Sequence, residues 1–256
     1  MTDYNTITEL AGDDVSEEQV LRICQRYYWA KNYCQNKDVV EVACGNGQGL
    51  GYLSEFAKSV CAGDIMDSFV DHVKALYGKK FEITKYDAIN MPYDDSSKDV
   101  ILIFEALYYI KDVNAFFEEC KRVLRNTGKL LIVTANKDLF DFNPSPFSHD
   151  YLGTVELNKQ LGLHGFNVNC FGYFPLSNAT IKQKILRPVK TIASKFGLIP
   201  KSMNGKKFLK KFVFGDLIKM PATISKDTYT YEPPTQISTD IPCVNYKVIY
   251  CEASLN

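Results

Sequence analysis

Short apolar runs, separated by segments of helical spacing, constrain this 256-residue chain more than any other feature. The first run, VVEVA, ends in a glycine-rich turn, and four others follow it: SVCAGD, FEITKYDA, VILIFEAL and KLLIVTAN. Short β-branched and apolar runs of this kind indicate strands that are buried on both faces. Amphipathic segments separate most of them, so the sequence predicts a doubly wound α/β fold with a mostly parallel sheet.

Several of the helical segments also carry recognisable ends. Ser16 and Gln19 have the spacing of a capping box, and Gly78 stands where a helix C-cap glycine is expected. We predict helices over residues 16–35, 49–58, 67–78 and 113–128, and another that ends near residue 166. NVNCFGYF and NYKVIYCEA add two strands near the carboxyl end, which brings the predicted sheet to seven strands.

The turn after the first strand is the most informative part of the chain for ligand chemistry. It reads from Glu41 through Gly45 and Gly47, and glycines here let the backbone pass close beneath a ligand. A dinucleotide fingerprint counted from Gly45 requires glycine at the position of Leu50, so an NAD-dependent oxidoreductase is disfavoured. Glu41 would repel a pyrophosphate but would tolerate a cationic ligand.

This turn resembles the first motif of class I S-adenosylmethionine (SAM) dependent methyltransferases, E/D-x-G-x-G-x-G, with Ala43 in the first glycine slot. YDAINMPYDDSSKDV is similar to a stretch of the methyltransferase type 11 and ubiquinone-biosynthesis group, and CKRVLRNTGKLLIV resembles that group's R-V-L-K-P-G-G-x-L. Asn126 and Thr127 stand where that motif has Pro-Gly. The resemblance covers residues 20–136 and implies the methyltransferase fold with SAM as its cofactor.

By this resemblance, seven residues contact SAM: Glu41, Gly45, Gly47, Asp64, Asp87, Ala88 and Phe104. The glycines are expected to line its methionine part, and Asp64 to accept hydrogen bonds from both ribose hydroxyls. Asp87 and the Ala88 N–H are expected to bind adenine. The Phe104 carbonyl would hold the ammonium, although Phe104 is equally explained as a core residue. Arg26 either reaches the SAM carboxylate or is a solvated helix residue.

A general base for a hydroxyl acceptor points to histidine, and the chain has three. His149 follows the fifth strand at the edge where ligands bind, so it is the candidate base or substrate ligand. His72 is expected on a helix surface and His164 at a helix end. Tyr108 and Tyr109, just past the fourth strand, are candidate substrate contacts, with packing as the alternative.

Charge is distributed unevenly along the chain. Residues 182–219 contain eleven Lys or Arg and one acidic residue, a local charge of +10 in a chain of zero net charge. This segment is a solvated face, a cap over an anionic acceptor, or a surface attracted to an anionic membrane or to nucleic acid. Nucleic acid is the weaker partner because aromatic and basic residues do not alternate, whereas KKFLKKFVFGDLIK is amphipathic and allows peripheral membrane contact.

The remaining composition favours a cytoplasmic enzyme. No apolar run reaches the roughly 18 residues of a membrane span, and the acidic start MTDYNTITELAGDD does not resemble a signal peptide. Eight cysteines without a CxxC pair indicate reduced, mostly buried thiols, and no clustered ligands point to a metal.

We therefore predict one methyltransferase domain over residues 1–256, with a SAM-binding core at 16–136 and a substrate-side elaboration at 137–245 that contains a basic, helical cap insertion at 178–243. It would methylate O or N of a small or medium acceptor. The tail from SPFSHDY through GFNVNCFGYFP resembles methyltransferases of bacterial surface-polysaccharide clusters, which implies a sugar or nucleotide-linked acceptor. The alternative is a non-catalytic module that binds SAM or a nucleotide.

Overall fold

The computed structural model describes residues 10–145, 147–176 and 216–255. Within these ranges the elements are β1 (Asp14–Val15), α1 (Glu17–Cys34), β2 (Asp38–Val42), α2 (Leu50–Leu53), β3 (Ser59–Asp64), α3 (Asp67–Tyr77), β4 (Glu82–Lys85), β5 (Lys98–Phe104), a 3-10 turn (Leu107–Tyr109), α4 (Val113–Val123), β6 (Leu124–Ala135), α5 (Thr154–Leu163), β7 (Phe166–Pro175), β8 (Ile218–Lys219), β9 (Thr235–Ile237) and β10 (Tyr246–Leu255).

The central sheet has eight strands in the order β4-β3-β2-β5-β6-β10-β7-β9. The pairs from β4 to β6 are parallel, whereas β10 is antiparallel to both β6 and β7, and β9 is antiparallel to β7. The predicted doubly wound, mostly parallel sheet is confirmed. The prediction of seven strands missed β9, because three residues without apolar alternation give no strand signal.

Both faces of the sheet are covered. Val39 on β2 and Leu102 on β5 belong to a hydrophobic cluster that includes residues of α1, α2 and α3. Their neighbours Val40 and Ile101 belong to a second cluster on the opposite face, which includes residues of α4 and α5. Successive side chains of a strand point to opposite faces, so strands covered on both sides read as continuous apolar runs.

Two helix ends agree with the sequence. Ser16 N–H donates to Gln19 Oε1 at 2.8 Å, and Ser16 Oγ accepts from Gln19 N–H at 3.4 Å, which completes the capping box of α1. Gly78 ends α3 with φ of +61° and donates its N–H to the Lys74 carbonyl at 2.8 Å. Glycine adopts this left-handed conformation without steric conflict.

Two helices are shorter than predicted. The helix expected over 49–58 ends at Leu53, because Ser54 Oγ bonds the Gly51 carbonyl at 2.7 Å and the Phe56 carbonyl accepts from Asn36 N–H at 2.9 Å. The helix expected over 113–128 ends at Val123, where β6 begins.

The predicted helical cap does not appear in the described part of the insertion. Residues 177–215 lie outside the description, and residues 216–243 form two short strands and turns. This stretch packs against α1 and the glycine turn. Tyr28 OH donates to the Ser225 carbonyl at 2.5 Å, and Gln48 Nε2 donates to the Pro221 carbonyl at 2.9 Å.

Candidate active site

A cavity of about 730 Å³ opens where β2, β3, β4 and β5 end at their carboxyl termini. Parallel α/β sheets bind ligands at this edge, where the strand order reverses. Most of the residues that the sequence singled out line the cavity: Arg26, Glu41, Gly45, Asp64, Asp87, Ala88, Phe104, Tyr108, Tyr109 and His149.

The glycine turn after β2 bends through the left-handed region. Ala43 and Gly45 both have φ of +52°, and Gly47 has φ of +64°. Gly47 is not among the cavity-lining residues: its carbonyl accepts from Tyr77 OH at 2.9 Å, and a Cβ there would stand 2.9 Å from Val73 Cγ2. Gly47 therefore supports the turn from beneath, against α3.

Asp64, the last residue of β3, fixes this turn. Its Oδ2 accepts from Gly45 N–H at 3.0 Å and its Oδ1 accepts from Met66 N–H at 3.0 Å. Burial raises the pKa of the carboxyl group, although these backbone hydrogen bonds oppose the shift. Each carboxylate oxygen can accept further hydrogen bonds, so Asp64 can still bind a ligand in the cavity.

Glu41 is a buried carboxylate, 3% exposed, at the end of β2. Tyr27 OH donates to its Oε1 at 2.5 Å, while its buried Oε2 has no partner among the described residues. Burial raises the pKa of Glu41 to about 7, against the opposing effects of Tyr27 and Arg26. A side chain at Gly49 would overlap the Tyr27 ring, so this glycine makes room for the tyrosine that holds Glu41.

Arg26 lies on α1, directly before Tyr27. Its Cζ is 5.5 Å from the centre of the Tyr27 ring and 5.8 Å from that of Phe104. Its buried Nε has no partner among the described residues. Two residues that line the cavity, Glu41 and Arg26, therefore carry an acceptor and a donor that no described residue satisfies.

The part of the cavity that follows β4 is more open. Asp87 is exposed, and its Oδ1 accepts from Ile89 N–H at 3.2 Å, which turns the chain after β4. Ala88 lines the same part of the cavity. Phe104, by contrast, is 6% exposed and packs edge-on against Tyr27 with ring centres 5.2 Å apart. Phe104 is thus both a core residue and a cavity wall.

An aromatic wall closes the opposite side. The Tyr108 ring stacks on Tyr151 at 4.2 Å, and Tyr109 OH lies 2.5 Å from Ser145 Oγ. His149 N–H donates to the Tyr108 carbonyl at 2.8 Å, which places His149 at the exposed rim. Tyr108, Tyr109 and His149 therefore form one group along this wall of the cavity.

The sequence reasoning missed an ion pair in the cavity. Arg22 Nη2 lies 2.9 Å from Glu105 Oε1, and both residues line the cavity. Tyr108 OH donates to Glu105 Oε2 at 3.3 Å. Both have a sequence signal: Glu105 directly follows Phe104 at a strand end, and Arg22 is one helical turn before Arg26 on α1.

The other two histidines lie elsewhere. His72 is exposed on α3, as the sequence indicated. His164 is the C-cap of α5, with Nδ1 2.7 Å from Glu118 Oε1 and Nε2 3.1 Å from Asn114 Oδ1. Neither lines the cavity.

The cysteines agree with the prediction of buried thiols, since all eight are free and buried. Among the described residues, His, Cys, Asp and Glu nowhere form a group of three that could hold a metal ion. None of the described helices combines the length and apolarity that a membrane crossing requires.

Relatives in sequence identify the domain. Residues 40–132 match the family described as Methyltransferase domain. A protein of Mycolicibacterium smegmatis named a probable SAM-dependent methyltransferase is 30% identical over 166 residues, 59% of this chain and 64% of that protein. One of the same name from Mycobacterium tuberculosis is 33% identical over 137 residues, 52% of this chain and 50% of that protein. The chain thus spans half to just under two thirds of these curated relatives.

Solved structures agree on the fold. A SAM-dependent methyltransferase from Thermotoga maritima superposes with a TM-score of 0.59 at 14% identity, over 93% of this chain and 92% of that one. The YcgJ protein of Bacillus subtilis superposes with a TM-score of 0.56 at 14% identity, over 94% of this chain and 100% of that one.

The fold and the cavity at its carboxyl edge define a class I methyltransferase sheet. Residues 40–132 match the Methyltransferase domain, and this part of the chain is similar in sequence to probable SAM-dependent methyltransferases. The resemblance to that family, the Rossmann-like fold and SAM as the cofactor class, which the motifs indicated, are confirmed.

Proposed function

We propose that this chain binds SAM in the cavity and transfers its methyl group to an oxygen or nitrogen of a small or medium acceptor. One observation carries the proposal. Glu41 Oε2 and Arg26 Nε are buried and have no hydrogen-bond partner within the described ranges, and both residues line the cavity. The methionine end of SAM carries an ammonium and a carboxylate, the two groups that would satisfy these atoms.

The remaining predicted contacts fit the rest of the molecule. Asp64 keeps acceptor capacity on both oxygens for the two ribose hydroxyls. Asp87 and Ala88 are available to adenine in the open part of the cavity, and Gly45 lets the turn approach the methionine part. These assignments are supported by position and hydrogen-bonding capacity.

Bound SAM supplies an electrophilic methyl carbon on a sulfonium and leaves as S-adenosylhomocysteine. The chain's own residues hold the acceptor in line and exclude water. Tyr108 and Tyr109 form the wall against which we place the acceptor. For a hydroxyl acceptor we assign proton removal to His149 at the rim, whereas a neutral amine needs no base.

The domain organisation, the acceptor class and the cellular setting are also proposals. We propose a SAM-binding core at 16–136, which the match over 40–132 supports, and a substrate-side elaboration at 137–245. A sugar, linked to a nucleotide or to a surface polysaccharide, remains the proposed acceptor class. A cytoplasmic setting is supported by the eight free cysteines.

The test is calorimetric titration with SAM and with 5′-methylthioadenosine, which lacks the amino-acid end. Arg26→Gln should weaken SAM binding about tenfold to a hundredfold and leave 5′-methylthioadenosine unaffected, because only SAM has the carboxylate. Arg125→Gln is the control, since Arg125 pairs with Asp38 and Asp99 away from the cavity. Equal losses for both ligands, or none, would contradict the assignment.

Catalysis needs a separate measurement. Transfer of label from methyl-tritiated SAM to a small-molecule extract distinguishes an enzyme from a silent SAM-binding module. A protein that binds SAM and labels nothing would support the module.

A further inference from the structure

Arg22 and Glu105 form an ion pair in the cavity that the SAM-binding assignments do not use. Their side chains are 31% and 22% exposed, and both line the cavity. Ion pairs with this much exposed area stabilise a fold only weakly. Stability alone is therefore a poor explanation for the pair.

The backbone at Glu105 points to a function for it. Glu105 has φ of +53°, a conformation that is uncommon for a residue with a Cβ and that clusters at functional sites. Its N–H donates to the Val133 carbonyl at 2.7 Å, and Tyr108 OH donates to its Oε2 at 3.3 Å. The carboxylate is thus held in a fixed position directly after β5.

The pair offers complementary hydrogen-bonding capacity. Arg22 only donates and has five N–H groups, of which one bonds Glu105. Glu105 only accepts, and Arg22 and Tyr108 use part of its capacity. A hydroxyl both donates and accepts, so two neighbouring hydroxyls match a carboxylate and a guanidinium that lie 2.9 Å apart.

The charge around the pair is balanced. Once Arg26, Glu41, Asp64 and Asp87 are assigned to SAM, the charged lining residues that remain are two cations and two anions: Arg22, Lys111, Glu105 and Asp112. A charged acceptor would leave part of this set uncompensated in a partly buried space. The Tyr108 ring beside the pair presents an apolar surface with a hydroxyl at its tip.

We propose that Arg22 and Glu105 are the acceptor-binding pair and that they select an uncharged acceptor with neighbouring hydroxyl groups, such as a neutral sugar or another polyol. Glu105 accepts from one hydroxyl, Arg22 donates to the oxygen of the next, and Tyr108 covers the adjacent apolar face. The inference rests on the proposed methyl transfer. Among the proposed sugar acceptors it selects an uncharged one and excludes a nucleotide-linked one, which carries phosphate charge.

The first experiment separates acceptors by charge. A small-molecule extract of the source cells is passed through mixed cation- and anion-exchange resin, and the flow-through is incubated with the protein and methyl-tritiated SAM. Label should enter the neutral flow-through. If transfer requires compounds retained on either resin, the inference is wrong. If the unfractionated extract accepts no label although SAM binds, the proposed function itself fails.

The second experiment tests the residues. Glu105→Gln and Arg22→Gln should each lower kcat/KM for the neutral fraction about tenfold to a hundredfold and leave the calorimetric Kd for SAM unchanged. Arg125→Gln is the matched control. It breaks similarly half-buried ion pairs, those of Arg125 with Asp38 and Asp99, which do not line the cavity. An equal loss in Arg125→Gln would contradict a specific role.

A charge-swapped double variant, Arg22→Glu with Glu105→Arg, separates acceptor binding from packing. It keeps an ion pair but exchanges the donor and the acceptor. We expect cooperative thermal unfolding close to that of wild type and label transfer as low as in the single variants. If the swap restores transfer, the pair is only structural and the inference is overturned.

Discussion

Glu41 provides the most quantitative prediction because its raised pKa makes the free energy of unfolding depend on pH. Burial raises its pKa from 4.5 to about 7. At about 1.36 kcal/mol per pKa unit, ionised Glu41 makes the folded protein about 3 kcal/mol less stable than protonated Glu41 does. The folded state binds this proton more tightly than the unfolded chain does. The resulting stabilisation of the fold is therefore complete below pH 4.5, the pKa in the unfolded chain, and is lost as pH rises through 7.

Glu41→Gln should remove this pH dependence. The glutamine amide oxygen can still accept from Tyr27 OH, and no proton is left to lose at this position. In urea unfolding between pH 5 and pH 8, wild type should lose up to about 3 kcal/mol that the variant keeps. Parallel pH–stability curves for the two proteins would refute the reasoning.

SAM binding should reverse the preference of the folded protein for protonated Glu41. An ammonium beside Glu41 Oε2 favours the ionised carboxylate, so wild type should release up to about one proton when it binds SAM near pH 6. Titrations in two buffers of different ionisation enthalpy measure this release, which should vanish in Glu41→Gln. Glu252→Gln, which changes a buried carboxylate bound by Lys129 and Asn169, should release the same number of protons as wild type.

Three other substitutions test the turn and the rim. Ala43→Gly should stabilise the protein by about 0.5–1 kcal/mol in urea unfolding, because relief of left-handed strain exceeds the added entropy of the unfolded chain; a loss of stability would contradict this. Asp64→Asn should weaken SAM binding about tenfold to a hundredfold, while the nearby exposed Asp67→Asn keeps wild-type affinity; an unchanged Kd would remove Asp64 from the site. His149→Ala should lower turnover of a hydroxyl acceptor about 10²–10⁴-fold with the Kd for SAM intact, and full activity would exclude it as the base.

Features with a local signal were predictable from the sequence. The capping box at Ser16 and the C-cap glycine at Gly78 depend on neighbours within four residues. The strands buried on both faces read as apolar runs, and their carboxyl ends meet at one edge of the sheet. The sequence therefore predicts that Asp64 and Asp87 lie at one edge of the sheet, and both line the cavity there.

Features that depend on distant partners were not predictable in this way. Helix α4 ends at Val123 because Ser96 N–H donates to the Arg122 carbonyl at 2.8 Å and Ser97 N–H donates to the Val123 carbonyl at 2.9 Å. These bonds satisfy carbonyls that a longer helix would have bonded. The donors lie about one strand and one helix earlier in the chain, so the residues around Val123 carry no signal of them. The amphipathic pattern alone therefore predicted a longer helix.

The charge of the basic segment and the charges that line the cavity point to different acceptors. The net charge of residues 182–219 left an anionic acceptor as one of three interpretations, whereas the described lining beside Arg22 and Glu105 favours an uncharged one. Exposed charges act through a field that salt screens beyond about 8 Å, so a basic segment mainly alters the rate of encounter. Specificity is decided at contact distance, where each desolvated charge or hydroxyl requires a partner. An ion pair with its two atoms 2.9 Å apart inside the cavity is therefore the better guide to the acceptor that we propose.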